Sequence, residues 1–128
     1  MGAEELWRFL PLGYLFTVAV ETPVLVLLLS KHHALKRRLF AGLWLTACTY
    51  PVVVLVLPPL FEGSSRAAYL AVAETFAPVA ECALFYLAFG GKEGRVTRRD
   101  MVAVVVANLL SFLGGEVLGA YGWFGLFR

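Results

Sequence analysis

Four long apolar stretches, separated by short polar segments, account for most of the chain. Each is close to the roughly 20 residues that an α-helix needs to cross the hydrocarbon core of a bilayer. The pattern predicts spans at about 8–30, 39–60, 67–89 and 101–124. We therefore predict an all-α fold class, a polytopic membrane protein whose single domain, residues 1–128, is a four-transmembrane-helix bundle.

The composition supports this prediction. Apolar residues make up 60% of the 128 residues and charged residues 16%, whereas a soluble domain is usually about 45–50% apolar. The flank before the first span is acidic, with Glu4 and Glu5, and no small-residue cleavage site closes the span, so we do not expect a cleaved signal peptide. The two cysteines, Cys48 and Cys82, fall inside spans, where we interpret them as packing residues.

The Lys and Arg residues predict the orientation. Of the 11, eight lie in the connections after the first and third spans, and three lie on the other side. Short cytoplasmic loops carry such an excess, so we expect a bacterial-type inner membrane, cytoplasmic basic loops and both termini outside. We interpret His32 and His33 as part of a solvated basic loop, with contact to anionic lipid headgroups as the alternative. The net charge of +2 gives no reason to expect a nucleic-acid partner.

Four glutamates lie within the predicted spans: Glu21, Glu74, Glu81 and Glu116. A charged side chain at the bilayer centre costs about 2.5–3.5 kcal/mol on insertion scales, so we expect these groups to face protein or water rather than lipid. Glu74 and Glu81 are seven residues apart, which places them on one helix face about 10 Å apart. Glu116 lies off the polar face of its own helix, and we expect it to face a neighbouring subunit.

The polar residues of the four spans fall at two depths in the membrane when their positions are counted from the span ends, and this predicts two polar layers. We predict an ion- or proton-binding inner layer made of Glu21, Glu81, Asn108, Thr49 and Thr46. We predict an outer polar layer made of Glu74, Glu116 and Tyr14.

The oxygen atoms of the inner layer suit hard cations such as Na⁺, Ca²⁺, Mg²⁺ or Mn²⁺, and a carboxyl group removed from water retains its proton more readily. The identity of a bound cation or metal stays open, and we expect no other cofactor. The alternative is that protonated glutamates only join neighbouring helices by hydrogen bonds. For Glu74 and Glu116 this alternative is favoured.

A shift of 60 residues favours, as a further hypothesis, two parallel helical-hairpin repeats, a construction known among transporters. The shift superposes four pairs: Glu21 on Glu81, Arg38 on Arg98, Cys48 on Asn108 and Pro51 on Ser111. Hydropathy alone could also produce this match.

In size, in helix count and in carrying Glu21 in its first span, the chain resembles the small multidrug resistance exporters, which work as dimers. Those proteins have a single essential membrane carboxylate and a weak charge bias, whereas this chain has several carboxylates and a strong bias. We therefore carry no residue roles across from that family.

These features predict a small proton- or cation-coupled membrane transporter or channel subunit. Because four helices enclose little space, we expect a homo-oligomer with a pathway between protomers. The alternative is a non-catalytic small subunit or assembly factor of a larger membrane complex, with carboxylates that pair to partner helices. We expect no enzymatic activity, since no serine has a base at a recognisable spacing and no phosphate loop is present. An enzyme that acts on lipid is the least favoured hypothesis.

Overall fold

The computed structural model describes residues 3–31, 33–89 and 94–121. These residues form four long helices: α1 (Ala3–Leu28), α2 (Leu35–Leu60), α3 (Arg66–Phe89) and α4 (Gly94–Ala120). No strand occurs in the described ranges. Each helix contains a segment long and apolar enough to cross a membrane. The prediction of four such helices in an all-α fold is confirmed, and they indicate a multi-pass membrane protein.

The predicted boundaries differ from the helices mainly in α4, which begins at Gly94 rather than near residue 101. The helix starts early because the basic segment that we took for a loop already forms its first turns. Residues 122–124 of the predicted fourth span lie outside the described residues, as does His32.

The helices form a closed ring. Helix α1 packs against α2 and α4, and α3 also packs against α2 and α4. The connections between successive helices are short, and short connections join antiparallel neighbours. We call the end with the α1–α2 and α3–α4 connections the basic-loop end, and the end where α1 begins and α4 finishes the terminal end.

Helix α2 is irregular in its second half. It contains Pro51, which has no backbone N–H to donate, and a π-helical turn follows over Val52–Val56. The carbonyl of Val53, within this turn, accepts a hydrogen bond of 2.7 Å from the hydroxyl of Tyr69 in α3. The π-helical turn therefore provides a direct link between the two helices.

The apolar core lies in the half of the bundle near the basic-loop end, and all four helices contribute to it. We call this group the apolar cluster: Leu25, Leu29, Ala41, Leu45, Phe85, Ala103, Val104 and Ala107. Helices α1 and α2 approach closely beside it at Gly42, where an added Cβ would lie 3.0 Å from the Cα of Thr22. This half of the bundle is consequently filled by side chains, whereas the other half is not.

Candidate functional site

A cavity of about 790 Å³ occupies the half of the bundle near the terminal end. Its lining runs from Arg66, which is exposed, and Glu116 inward to Glu21 and Glu81. Beyond those two glutamates, the apolar cluster closes the way to the basic-loop end. One chain therefore encloses far more space than we expect from four helices, because the apolar cluster fills only one end.

The cavity ends at two carboxyl groups, those of Glu21 in α1 and Glu81 in α3. Both residues are 2% exposed, so neither faces lipid. The two groups are close enough to interact electrostatically. The hydroxyl of Ser111 donates to Oε2 of Glu21 at 2.7 Å, and the hydroxyl of Thr49 donates to Oε2 of Glu81 at 3.0 Å. Each carboxyl group is thus fixed by one hydroxyl from a neighbouring helix.

All five residues of the predicted inner layer line this closed end, which we call the cavity floor: Glu21, Thr46, Thr49, Glu81 and Asn108. The side chain of Asn108 lies beside Glu81, and its amide nitrogen also donates to the carbonyl of Val104 at 2.9 Å. Periodicity could place these residues on inward faces, because each helix carries them as one polar stripe. Ser111, which was not among the predicted site residues, completes the floor as the partner of Glu21.

Three buried oxygen atoms of the floor have no hydrogen-bond partner: Glu21 Oε1, Glu81 Oε1 and Thr46 Oγ1. Buried polar atoms are nearly always paired, and each unpaired one costs about 1–3 kcal/mol. Two other unpaired oxygens, of Thr22 and Ser30, belong to residues that do not line the cavity. The floor is therefore the place in the cavity where a proton, a cation or another donor would complete the hydrogen bonding.

The chemistry of the floor differs from that of a transition-metal centre. Within the described ranges, no three or more His, Cys, Asp or Glu side chains are grouped so as to hold a metal ion. The floor offers two carboxyl groups, an amide and hydroxyls, which are oxygen ligands for hard cations and acceptors for hydrogen-bond donors.

The two hairpins bury equivalent positions. The order of buried, half-buried and exposed residues over 11–25 in α1 is the same over 71–85 in α3, so a shift of 60 superposes Glu21 on Glu81. In the second helices a shift of 62 superposes three buried pairs instead: Ala41 on Ala103, Leu45 on Ala107 and Thr46 on Asn108. The same shift pairs the buried Thr49 with the half-buried Ser111.

The 62-residue shift replaces the predicted pairing of Cys48 with Asn108 and of Pro51 with Ser111, since Cys48 is exposed and Asn108 is buried. It also makes the two carboxyl contacts equivalent, because Glu21–Ser111 and Glu81–Thr49 exchange under the two shifts. Each of these two carboxyl–hydroxyl contacts joins one hairpin to the other.

The predicted outer layer is only partly assembled. The carboxylate of Glu116 pairs with Arg66 of its own chain at 2.7 Å, and its contact with a neighbouring subunit stays a prediction. This pairing occurs because α3 begins beside the last turns of α4. Glu74 lines the cavity between the two ends and interacts electrostatically with both Glu21 and Glu116. Tyr14 does not line the cavity; its hydroxyl donates to the carbonyl of Leu43 at 3.0 Å.

A second buried polar group lies at the basic-loop end. The ring of His33 is 1% exposed, and its Nε2 lies 2.8 Å from Oδ2 of Asp100. The other oxygen of Asp100 accepts the backbone N–H of Ser30 at 2.8 Å. The prediction of a solvated loop is therefore wrong for His33, because the start of α4 supplies a buried carboxylate for its ring.

Two arginines at the same end act as caps for α1. Arg38 donates to the carbonyl of Val26 at 2.5 Å, and Arg99 donates to the carbonyl of Leu28 at 3.0 Å. The last carbonyls of a helix have no partner within it, and basic side chains often satisfy them. These arginines thus stabilise the end of α1, a role that their use as indicators of membrane orientation did not predict.

Comparisons with known proteins return no matching family model, no matching curated protein and no matching solved structure. The assignment of a function therefore depends on the cavity and its floor.

Proposed function

We propose that this chain is a small proton- or cation-coupled membrane transporter or channel subunit, with its ion site at Glu21 and Glu81. One observation carries the proposal. Each of the two carboxyl groups keeps one buried oxygen without a partner, and both lie at the closed end of a cavity that reaches the exposed end of the bundle.

The physical reason is the repulsion between two carboxylates out of water. Two ionised groups side by side in a medium of low dielectric constant are strongly unfavourable. A proton or a cation between Glu21 and Glu81 removes that repulsion and pairs the free oxygens. Because either occupant can fill the same place, the arrival of one displaces the other, and this exchange is the coupling that we propose.

Transport also requires that the floor open alternately to both sides of the membrane. Among the described residues, the cavity lining reaches the surface at the terminal end, whereas the apolar cluster and the buried His33–Asp100 pair fill the basic-loop end. We propose that the α1–α2 and α3–α4 hairpins are two parallel repeats that move against each other, as repeats do in other transporters. The matching burial pattern of 11–25 and 71–85 supports this.

The orientation and the assembly belong to the same proposal. With the basic loops in the cytoplasm of a bacterial-type inner membrane, the cavity would open to the outside. We retain a homo-oligomer as the proposed state. In the alternative, a subunit of a larger complex, the carboxylates pair with partner helices. The 2% exposure of Glu21 and Glu81 favours the transporter, because a partner helix could not reach them.

The test is flux in proteoliposomes that contain the purified full-length protein. We expect wild type to exchange protons or an alkali cation above background, and Glu81→Gln to lose this flux because a neutral amide cannot exchange a proton for a cation. Glu62→Gln is the matched control, since Glu62 is exposed in the α2–α3 connection. Equal flux near background for all three proteins would refute the proposal.

A further inference from the structure

Two hydroxyl groups of the floor each lie within hydrogen-bonding distance of two acceptors. Oγ1 of Thr49 is 3.0 Å from Oε2 of Glu81 and 3.1 Å from the carbonyl oxygen of Leu45. Oγ of Ser111 is 2.7 Å from Oε2 of Glu21 and 3.0 Å from a carbonyl oxygen of its own helix. A hydroxyl group has one proton to donate, so each of these groups bonds fully with one of its two acceptors at a time.

The two acceptors of each hydroxyl group belong to different parts of the bundle. The backbone carbonyl lies three or four residues earlier in the same helix, whereas the carboxyl group lies in the other hairpin. We call the Thr49–Glu81 and Ser111–Glu21 contacts the hairpin contacts, because each joins the α1–α2 hairpin to the α3–α4 hairpin. The direction of one hydroxyl proton therefore determines whether a hairpin contact is made.

The charge of the carboxyl group determines which acceptor the hydroxyl proton takes. A hydrogen bond to an ionised carboxylate is roughly twice as strong as one between neutral groups, so an ionised Glu81 or Glu21 holds the proton. Once the carboxyl group is neutral, its carbonyl oxygen is a weaker acceptor than a peptide carbonyl oxygen. The hydroxyl group then donates to its own helix, as Thr and Ser side chains often do within helices.

We propose, as a refinement that rests on the proposed function, that Thr49 and Ser111 are positioning residues that hold the two hairpins together while Glu21 and Glu81 are ionised and release them when an occupant neutralises the pair. Both hydroxyl protons then rotate to backbone carbonyls, and both hairpin contacts weaken. Only the C–O bonds rotate, so no covalent bond is formed or broken and the number of protons at each hydroxyl group is unchanged. The occupancy of the ion site is thereby linked to the hairpin movement that transport requires.

The surroundings of the floor favour this competition between acceptors. Thr49 is 3% exposed and both glutamates are 2% exposed, so bulk water does not compete for its hydroxyl proton. Glu74 in α3 acts electrostatically on Glu21 and also on Glu116 in α4. Helices α2 and α4 supply only uncharged residues to the floor itself: Thr46, Thr49, Asn108 and Ser111. The charge at the hairpin contacts is therefore set mainly by the glutamates of α1 and α3.

The first experiment records infrared difference spectra between high and low pH for the full-length protein in liposomes. The bands of Glu81 are those that Glu81→Gln removes. We expect Thr49→Val, which keeps the side-chain shape, to shift the carboxylate band of Glu81 at high pH and to leave its carboxyl band at low pH unshifted. Thr75→Val is the matched control and should shift neither band, because the hydroxyl of Thr75 donates to the carbonyl of Ala71 at 2.7 Å at an exposed position of α3.

Each other spectral result overturns the inference. If Thr49→Val shifts both bands of Glu81, the hydroxyl group does not leave the neutral carboxyl group. If it shifts neither band, or if Glu81 shows no change between ionised and neutral forms, the hydroxyl group does not respond to the charge of the carboxyl group.

The second experiment measures the distance between the hairpins by electron paramagnetic resonance, with the two native cysteines replaced. Spin labels are attached at Leu12→Cys in α1 and Val72→Cys in α3, both at exposed positions. We expect the distance to change between high and low pH, and this change to be lost when Thr49→Val and Ser111→Ala are combined. The combination of Thr49→Ser and Ser111→Thr keeps both hydroxyl groups and should restore the change.

The outcomes separate this inference from the proposed function. A pH-dependent distance that survives the loss of both hydroxyl groups would overturn the inference, as would a wild-type distance that does not depend on pH. If either result accompanies flux that Glu81→Gln abolishes, the ion site stands without the release of the hairpins. If the spectra and distances follow the expectation but no flux is observed, the release of the hairpins stands and the transport proposal fails.

Discussion

Removal of the carboxylate of Asp100 should destabilise the fold more than the substitution of any exposed residue. This side chain makes two buried hydrogen bonds of 2.8 Å, one with the backbone N–H of Ser30 and one with Nε2 of the His33 ring. In Asp100→Ala both partners lose their acceptor while they remain buried. The contact joins the α1–α2 connection to the start of α4, so its loss also removes one of the links between the two hairpins at the basic-loop end.

The magnitude follows from burial. The side chains of His33 and Asp100 are 1% and 3% exposed, and each buried polar group that loses its hydrogen-bond partner costs about 1–3 kcal/mol. Because Asp100→Ala leaves two such groups, we expect it to lower the free energy of unfolding by about 2–6 kcal/mol. Asp100→Asn keeps an oxygen for the N–H of Ser30 and should cost less, about 1–3 kcal/mol.

The assay is reversible unfolding in mixed micelles of increasing denaturing detergent, followed by tryptophan fluorescence. Glu62→Ala, in the exposed α2–α3 connection, is the control and should stay within about 0.5 kcal/mol of wild type. The double variant of His33→Ala and Asp100→Ala should show a coupling of about 0.5–3 kcal/mol. If Asp100→Ala unfolds like the control, the buried pair does not hold this end of the bundle together.

Three further predictions concern packing and access. Gly42→Ala should be destabilising by about 1–3 kcal/mol because its Cβ would meet the backbone of α1, whereas Gly115→Ala, with nothing within 4 Å, should be neutral in the same unfolding assay. Arg66→Ala should lower stability by no more than about 1 kcal/mol, because its ion pair is largely exposed. With the native cysteines replaced, Gly119→Cys should react with a membrane-impermeant maleimide added on the terminal side, whereas Ala107→Cys should stay unlabelled; equal labelling of both would contradict the closed floor.

The four helices could be predicted because span length and hydropathy are local properties of the sequence. The inward direction of the floor residues follows from helical periodicity, which places Thr46 and Thr49 on the same side of α2 and Glu74 and Glu81 on the same side of α3. Helical periodicity does not predict how far apart two helices lie. The direct contacts of Glu21 with Ser111 and of Glu81 with Thr49 therefore required the structure.

The buried pair at the basic-loop end could not be predicted for a similar reason. His33 and Asp100 are 67 residues apart, and each lies at the edge of a basic segment that topology alone accounts for. The available signal was an acidic residue directly before the predicted fourth span. The cavity was also unpredictable, because its volume depends on how side chains from all four helices fill the space between them.

The most direct test of the account is whether Glu21 and Glu81 act as one site. Flux in proteoliposomes should be compared for Glu21→Gln, Glu81→Gln and the double variant under the same proton gradient. If the two carboxyl groups hold one shared occupant, each single variant should lose as much flux as the double variant. Single variants that each retain about half of the flux, with further loss only in the double variant, would show two independent groups and contradict a shared site.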